Sequence, residues 1–217
     1  MPLEFLALAG VVGVVVALGW AGERRVGRQL ARWAEPRGWK LQRGDPDDLP
    51  VRWRRLWIMS QGHHRRAFDV IRGPVPGGEI FLFEYACERG LGRGRTTDVM
   101  TVAAIRQSRP VLPMLVVDPR RFEPVGCFAG CRRLARDDAE PAALAVFSEH
   151  PMQVGAARAA EALAVARAAP PGAVHQAGGS VTVVAVPGPA DPARLDGLLA
   201  CLDRWRQCCG GSRPGSS

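Results

Sequence analysis

An uninterrupted run of apolar and small residues begins the chain, extending from Phe5 to Gly22, and the charged residues Glu23, Arg24 and Arg25 end it. At 1.5 Å per residue, a helix of this length would span roughly 27 Å, which is close to the hydrocarbon thickness of a bilayer. Because basic residues follow the run and none precedes it, the pattern favours a membrane anchor over a cleaved signal peptide. The positive-inside rule then predicts that the rest of the chain lies in the cytoplasm.

Short segments rich in apolar residues fill the middle of the chain, and turns containing Gly and Pro separate them. Residues 79–87 give the strongest strand signal because they combine aromatic and β-branched side chains. This succession predicts an antiparallel sheet. The predicted strands are residues 39–41, 67–72, 79–87, 99–106, 114–117, 173–176 and 181–186, and the predicted helices are residues 142–147 and 155–169.

The last element is predicted to be a helix from Asp191 to about Arg206. Asp191 is a favourable N-cap, and Pro192 suits the first helical position. Apolar residues then recur at helical spacing, which predicts a stripe buried against the sheet. The residues of this stripe are Leu195, Leu198, Leu199, Leu202 and Trp205.

The predicted fold class is therefore α+β: an N-terminal transmembrane helix, followed by an antiparallel-sheet domain with a packed C-terminal helix. The chain divides into a transmembrane anchor (residues 1–25), a basic juxtamembrane helix and linker (26–66), an α+β domain (67–209) and a disordered tail (210–217). The apolar content of 47% is typical of a globular protein. The tail is predicted to be disordered because it is rich in Gly and Ser.

Positive charge is concentrated after the apolar run. Residues 24–66 hold 12 basic and 4 acidic groups, which accounts for the whole net charge of +8. An evenly basic domain would indicate nucleic-acid binding, so this distribution predicts no nucleic-acid partner. Basic residues beside a membrane can bind anionic lipid, or can simply determine topology.

Residues 49–58 form a basic amphipathic pattern with two tryptophans, which could lie among lipid headgroups or pack on the sheet. Together with the basic residues that precede it, this segment supplies the candidates for contact with membrane lipid. The candidates are Arg24, Arg25, Arg28, Arg32, Arg52, Trp53, Arg54, Arg55 and Trp57.

Motifs that carry catalytic or metal chemistry are weak in this chain. Cys127 and Cys131 have the spacing of half a zinc site, and a second half would need another close pair of ligands. Cys208 and Cys209 are adjacent in sequence, which is a poor geometry for two ligands on one ion, and His63 and His64 are equally adjacent. The Gly-rich loop at 90–94 leads into a strand, whereas a phosphate loop leads into a helix. We predict no catalytic residue, no cofactor and no metal site, and we expect the cysteines to remain reduced.

Small residues recur every four positions within the apolar run, which is the spacing that allows two membrane helices to pack closely. They predict a possible homodimer, although Gly and Ala are abundant throughout this chain. The four residues are Ala9, Gly13, Ala17 and Ala21.

Five short motifs resemble a family of bacterial single-pass membrane-anchored proteins that have a cytoplasmic α+β domain of unknown function. The matching segments are residues 37–39, 81–85, 100–105, 112–117 and 191–195. Glu84 stands where the family usually has Asp. The resemblance implies the same anchored architecture and brings no catalytic residue with it.

The sequence thus predicts a single-pass protein of the cell membrane with its soluble domain in the cytoplasm. We expect the domain to be a non-catalytic scaffold or interaction module with an unknown protein partner. The alternative is a membrane-surface enzyme acting on a lipid or a nucleotide.

Overall fold

The computed structural model describes residues 25–90, 92–120, 130–139 and 143–210. Its strands are β1 (Lys40–Gln42), β2 (His63–Val75), β3 (Gly78–Arg89), β4 (Thr96–Gln107), β5 (Met114–Val117), β6 (Arg132–Asp137), β7 (Leu144–Ser148), β8 (Val174–Gly178) and β9 (Val181–Pro187). Its helices are α1 (25–34), α2 (Leu49–Arg52), α3 (Trp57–Ser60), α4 (Pro151–Arg167) and α5 (Pro192–Cys209).

Within the described ranges, nine strands form one sheet in the order β1-β2-β3-β4-β9-β8-β5-β7-β6, and every neighbouring pair is antiparallel. The strands β2, β3 and β4 are long hairpin partners, whereas β1 pairs only with residues 70–72 of β2. The part of β2 before this pairing, residues 63–69, therefore forms an outer edge that no described strand covers.

Both faces of the sheet are buried, and β3 shows how the sequence achieves this. Ile80 and Leu82 point to one face, here called the first face, while Phe81, Phe83 and Tyr85 point to the opposite, second face. All five side chains are almost fully buried. Because successive side chains alternate between faces, a strand covered on both sides must be apolar at nearly every position.

Three of the described helices, α1, α4 and α5, cover the first face. Leu30 and Ala34 of α1 pack there beside Leu195, Leu202 and Trp205 of α5, and α4 lies against α5. The helix α5 begins where predicted, because the carboxylate of Asp191 accepts a hydrogen bond of 3.0 Å from the backbone N–H of Ala193.

Residues 49–61, here called the strap, cover the second face. The strap contains the two short helices α2 and α3 and buries Leu49, Trp53, Leu56 and Trp57 against the sheet. The rings of Trp53 and Phe81 meet in a T-shaped arrangement, with the centroids 5.1 Å apart and the planes at 82°. This is a favourable aromatic geometry, and it fixes the middle of the strap on β3.

These observations correct the predicted fold class. The chain is organised around a nine-stranded antiparallel sheet with few helices, and no helix in the described part of the chain is both long and apolar enough to cross a membrane. The predicted transmembrane segment, residues 5–22, lies outside the described residues. The prediction was based on the length of one apolar segment. The observed fold instead depends on pairing between strands that are distant in sequence. Some of these strands show little alternation of apolar and polar residues.

One further prediction differs from the structure. Residues 142–147 were expected to form a helix, but residues Leu144–Ser148 form β7, which pairs with β5 and β6. Residues 26–66, expected to form a juxtamembrane helix and linker, contribute α1 to the first face and the strap to the second face. This segment is therefore part of both hydrophobic cores.

Candidate functional site

A cavity of about 180 Å³ lies on the second face between the end of the strap and the sheet. We call it the first cavity. Several strands meet there, so its walls come from distant parts of the chain, and they combine apolar with polar side chains. Lining residues include Trp57 and Ile58 from the strap and Tyr85, Met100, Val117 and Val174 from the sheet.

Two charged residues line the first cavity and form an ion pair, in which Arg89 Nε lies 2.6 Å from Asp98 Oδ2. Both side chains are partly exposed, which places the pair where the cavity meets solvent. Deeper in the cavity, burial raises the pKa of the Tyr85 hydroxyl and of the Cys87 thiol. Both groups are therefore neutral at physiological pH, and Cys87 is a poor nucleophile because its thiolate is disfavoured.

Hydrogen bonds tie the strap to the sheet beside this cavity. The backbone N–H of Ile58 donates to Gln176 Oε1 at 3.2 Å, and the Tyr85 hydroxyl donates to the carbonyl of Gln61 at 3.2 Å. Arg65 also donates to the carbonyl of Met59 at 3.0 Å. Backbone groups at the ends of the short helix α3 thus find partners in side chains, as buried helix ends require.

A second cavity, of about 360 Å³, lies on the other side of the strap. Val174 at the start of β8 lines the first cavity, while Gln176 and Gly178 line the second, so the strap crosses β8 between the two. Gln176 is fully buried, and its Nε2 has no hydrogen-bond partner in the described residues. Arg52 and His150 add polar groups to the lining of this second cavity.

The acidic residues before the strap stabilise the turn in which they lie. The carboxylate of Asp45 accepts hydrogen bonds from the backbone N–H groups of Leu49 at 2.6 Å and Asp47 at 3.2 Å. Asp47 forms ion pairs with Arg72 at 2.8 Å and Arg52 at 3.5 Å. These hydrogen bonds and ion pairs give the carboxylates of Asp45 and Asp47 a structural role that needs no bound cation.

The sequence-predicted lipid contacts lie on two different faces of the sheet. Arg25, Arg28 and Arg32 are exposed on α1, above the first face, while Arg52, Arg54 and Arg55 are exposed on the strap, above the second face. Trp53 and Trp57 are 6% and 4% exposed and belong to the core beneath the strap. Arg24 and the proposed dimer residues Ala9, Gly13, Ala17 and Ala21 lie outside the described residues.

Sequence reasoning missed both cavities and one polar cluster. His63, His64 and Glu88 lie together where β2 begins and β3 ends. The sequence contains one usable signal, the pair of adjacent histidines, but their convergence depends on backbone geometry that the sequence does not display. The cavity walls come from elements far apart in the chain and left no local signal.

Comparison with known proteins supports the architecture. No protein-family model and no curated protein matches the sequence. Among solved structures, the crystal structure of the mycobacterial trehalose monomycolate transport factor A, TtfA, matches with a TM-score of 0.62. The two chains share a fold. Their sequences are 20% identical, and the match covers 89% of this chain and 99% of TtfA, so it extends over nearly the whole of both chains.

Proposed function

We propose that this protein is a non-catalytic lipid-binding module that holds the apolar part of an amphipathic lipid in the first cavity and works beside a membrane surface. The observation that carries the proposal is the cavity itself, which has an apolar group of lining residues beneath the strap and the Arg89–Asp98 ion pair where it meets solvent. Such a combination suits a ligand with an apolar end and a polar end.

The size of the first cavity is compatible with a short stretch of hydrocarbon. Its volume of about 180 Å³ is several times the roughly 30 Å³ that one water molecule occupies in the liquid. Burying hydrocarbon against Trp57, Met100 and Val174 would contribute about 0.8 kcal/mol per methylene group. A longer chain would extend past the ion pair toward solvent.

A binding role fits the chemistry of the lining better than catalysis does. A raised pKa keeps Tyr85 and Cys87 protonated, and Arg89 is paired with Asp98. A catalytic base or nucleophile would instead need a pKa near the working pH or a neighbouring group that activates it. TtfA, which has the same fold, is a trehalose monomycolate transport factor, and this supports a lipid as the ligand class.

The experiment is a titration of the full chain with a monoacyl phospholipid below its micelle concentration, followed by calorimetry. We expect saturable binding that Met100→Trp weakens about tenfold or more, because a larger side chain would occupy the cavity. Met100 is only half-buried, so this substitution does not overpack a closed core. Ser180→Trp is the matched control, since Ser180 is also half-buried but lines the second cavity.

Ser180→Trp should bind the lipid as the unmodified protein does. The proposal fails if the unmodified protein shows no saturable binding, or if Met100→Trp and Ser180→Trp have the same affinity as the unmodified chain. Thermal unfolding of both variants checks that each one is folded.

A further inference from the structure

Two adjacent histidines begin β2, and an irregularity in the strand brings their side chains together. His63 pairs with Glu88 and Arg66 pairs with Ala86, so β2 has one more residue than β3 between these two pairs. This is the arrangement of a β-bulge. His64 lies within it and has a left-handed backbone conformation with φ of +49°.

The bulge changes the direction of the His64 side chain. In a regular strand, neighbouring side chains point to opposite faces, and His63 and His64 would be separated by the sheet. Here their ring centroids are 5.3 Å apart with the planes at 71°. Positive φ is uncommon for any residue other than glycine, so this convergence is a specific property of the local backbone.

Glu88 completes the group from the neighbouring strand. Its Oε2 lies 3.7 Å from His63 Nε2, and one ligand atom from each of the three residues lies within 4.8 Å of the others. Ligand atoms on a tetrahedral zinc ion are roughly 3.4 Å apart, as bonds of about 2.1 Å require. Shifts of about an ångström in side chains that are not fully buried would achieve this spacing.

We propose that His63, His64 and Glu88 bind a divalent transition-metal ion of the zinc class. Two imidazoles and one carboxylate are a common set of three protein ligands for zinc, and they leave a fourth position for water or another ligand. Arg95 Nε is 2.6 Å from Glu88 Oε2 and would compete with the ion for this carboxylate. When no ion is bound, Arg95 balances the negative charge of Glu88 through this ion pair.

A metal ion bound at this site would also affect how the strap is held on the sheet. His63 follows directly after Gly62 and Gln61, and Gln61 ends the strap and lines the first cavity. A bound ion would fasten the end of the strap to β3. The inference does not depend on the identity of the ligand in the first cavity, because it uses none of the cavity residues.

The test uses the full chain without an added histidine tag, titrated with Zn²⁺ by calorimetry and with Co²⁺ by visible absorption. We expect one ion to bind per chain and the temperature of unfolding to rise with added zinc. His64→Gly removes the imidazole but keeps the left-handed backbone without strain, so the metal-free variant should unfold at no lower temperature. Its zinc affinity should fall about tenfold or more.

Glu88→Gln keeps the shape of the third ligand but removes its charge, and it should weaken binding in the same way. His150→Gln is the matched control, because His150 is an exposed histidine next to α4, away from this group. The control should bind zinc as the unmodified chain does. The proposal is overturned if the unmodified chain binds no zinc, if His64→Gly binds it equally well, or if the cobalt spectrum shows thiolate ligands.

Discussion

At the scale of single residues, the buried imidazole of His175 is an unusual feature of the described part of the chain. It lies on β8 beneath α5, is fully buried, and has no hydrogen-bond partner for either ring nitrogen in the part of the chain that is described. The ring meets Trp205 with centroids 5.4 Å apart and planes at 73°. Burial, reinforced by the positive charge of Arg204, lowers the pKa of His175 from 6.5 to about 4.

This shift predicts a pH-dependent stability. Between pH 4 and pH 6.5 the unfolded chain binds a proton at His175 that the folded chain does not, so stability is present above pH 6.5 and falls as the pH drops toward 4. The loss should be roughly 3 kcal/mol. His175→Leu should remove this part of the pH dependence, which urea unfolding of both proteins at pH 4.5 and pH 7 would measure. Parallel stability profiles for the two proteins would contradict the assignment.

At the scale of elements, α5 shows how a local sequence pattern can predict a helix and its buried face. The sequence predicts both its N-cap, Asp191, and its apolar stripe. Four residues of the stripe are buried as expected: Leu195, Leu198, Leu202 and Trp205. Leu199 is only half-buried, so the stripe is narrower than predicted. The helix contacts β4 and β9 near the middle of the sheet, and its packing therefore stabilises the centre of the fold.

Leu202→Ala should lower the free energy of unfolding by about 2–5 kcal/mol, because Leu202 is fully buried and its removal leaves a cavity. Leu199→Ala removes the same atoms from the same helix at a half-buried position and should cost clearly less. Urea denaturation curves of the two variants provide the measurement. A larger loss from Leu199→Ala would mean that the face of α5 against the sheet has been assigned incorrectly.

Elements with strong local signals could be predicted, and elements defined by distant partners could not. The hairpin of β8 and β9 and the long strands β3 and β4 follow from apolar runs bounded by turns. In contrast, β6 has the sequence RRLARD and lies at an edge of the sheet with mostly polar side chains, so it shows no alternation to detect. The amphipathic pattern of residues 49–58 is visible in the sequence, but it does not distinguish a sheet from a membrane as the partner of the apolar face.

At the scale of the whole molecule, the basic excess of residues 24–66 is divided between the two faces of the sheet. Arg25, Arg28 and Arg32 recur at helical spacing on the exposed side of α1, and no ion pair involves them in the described residues. On the strap, Arg52 is paired with Asp47. The arginines of α1 are therefore the stronger candidates for contact with an anionic surface.

We expect the full chain to bind anionic vesicles more tightly than neutral ones at low salt. Replacing Arg25, Arg28 and Arg32 together by Gln should weaken this binding by about 3 kcal/mol, at about 1 kcal/mol for each arginine near the surface. Replacing Arg52, Arg54 and Arg55 by Gln is the control of equal charge and should have a smaller effect. Vesicle sedimentation compares the two triple variants. A larger loss of binding from the strap variant would mean that the strap, and not α1, contacts the anionic surface.

The uncovered part of β2, residues 63–69, also bears on edge-to-edge pairing between copies of the chain. An open strand edge offers backbone donors and acceptors to any extended chain, and a long regular edge promotes aggregation. Residues 63–69 interrupt that ladder twice, with register shifts before Arg66 and after Phe68 and with positive φ at His64 and Asp69. Arg65 and Arg66 add charge to the same stretch. We expect this bulged and charged edge to disfavour extension of the sheet by a second copy of the chain.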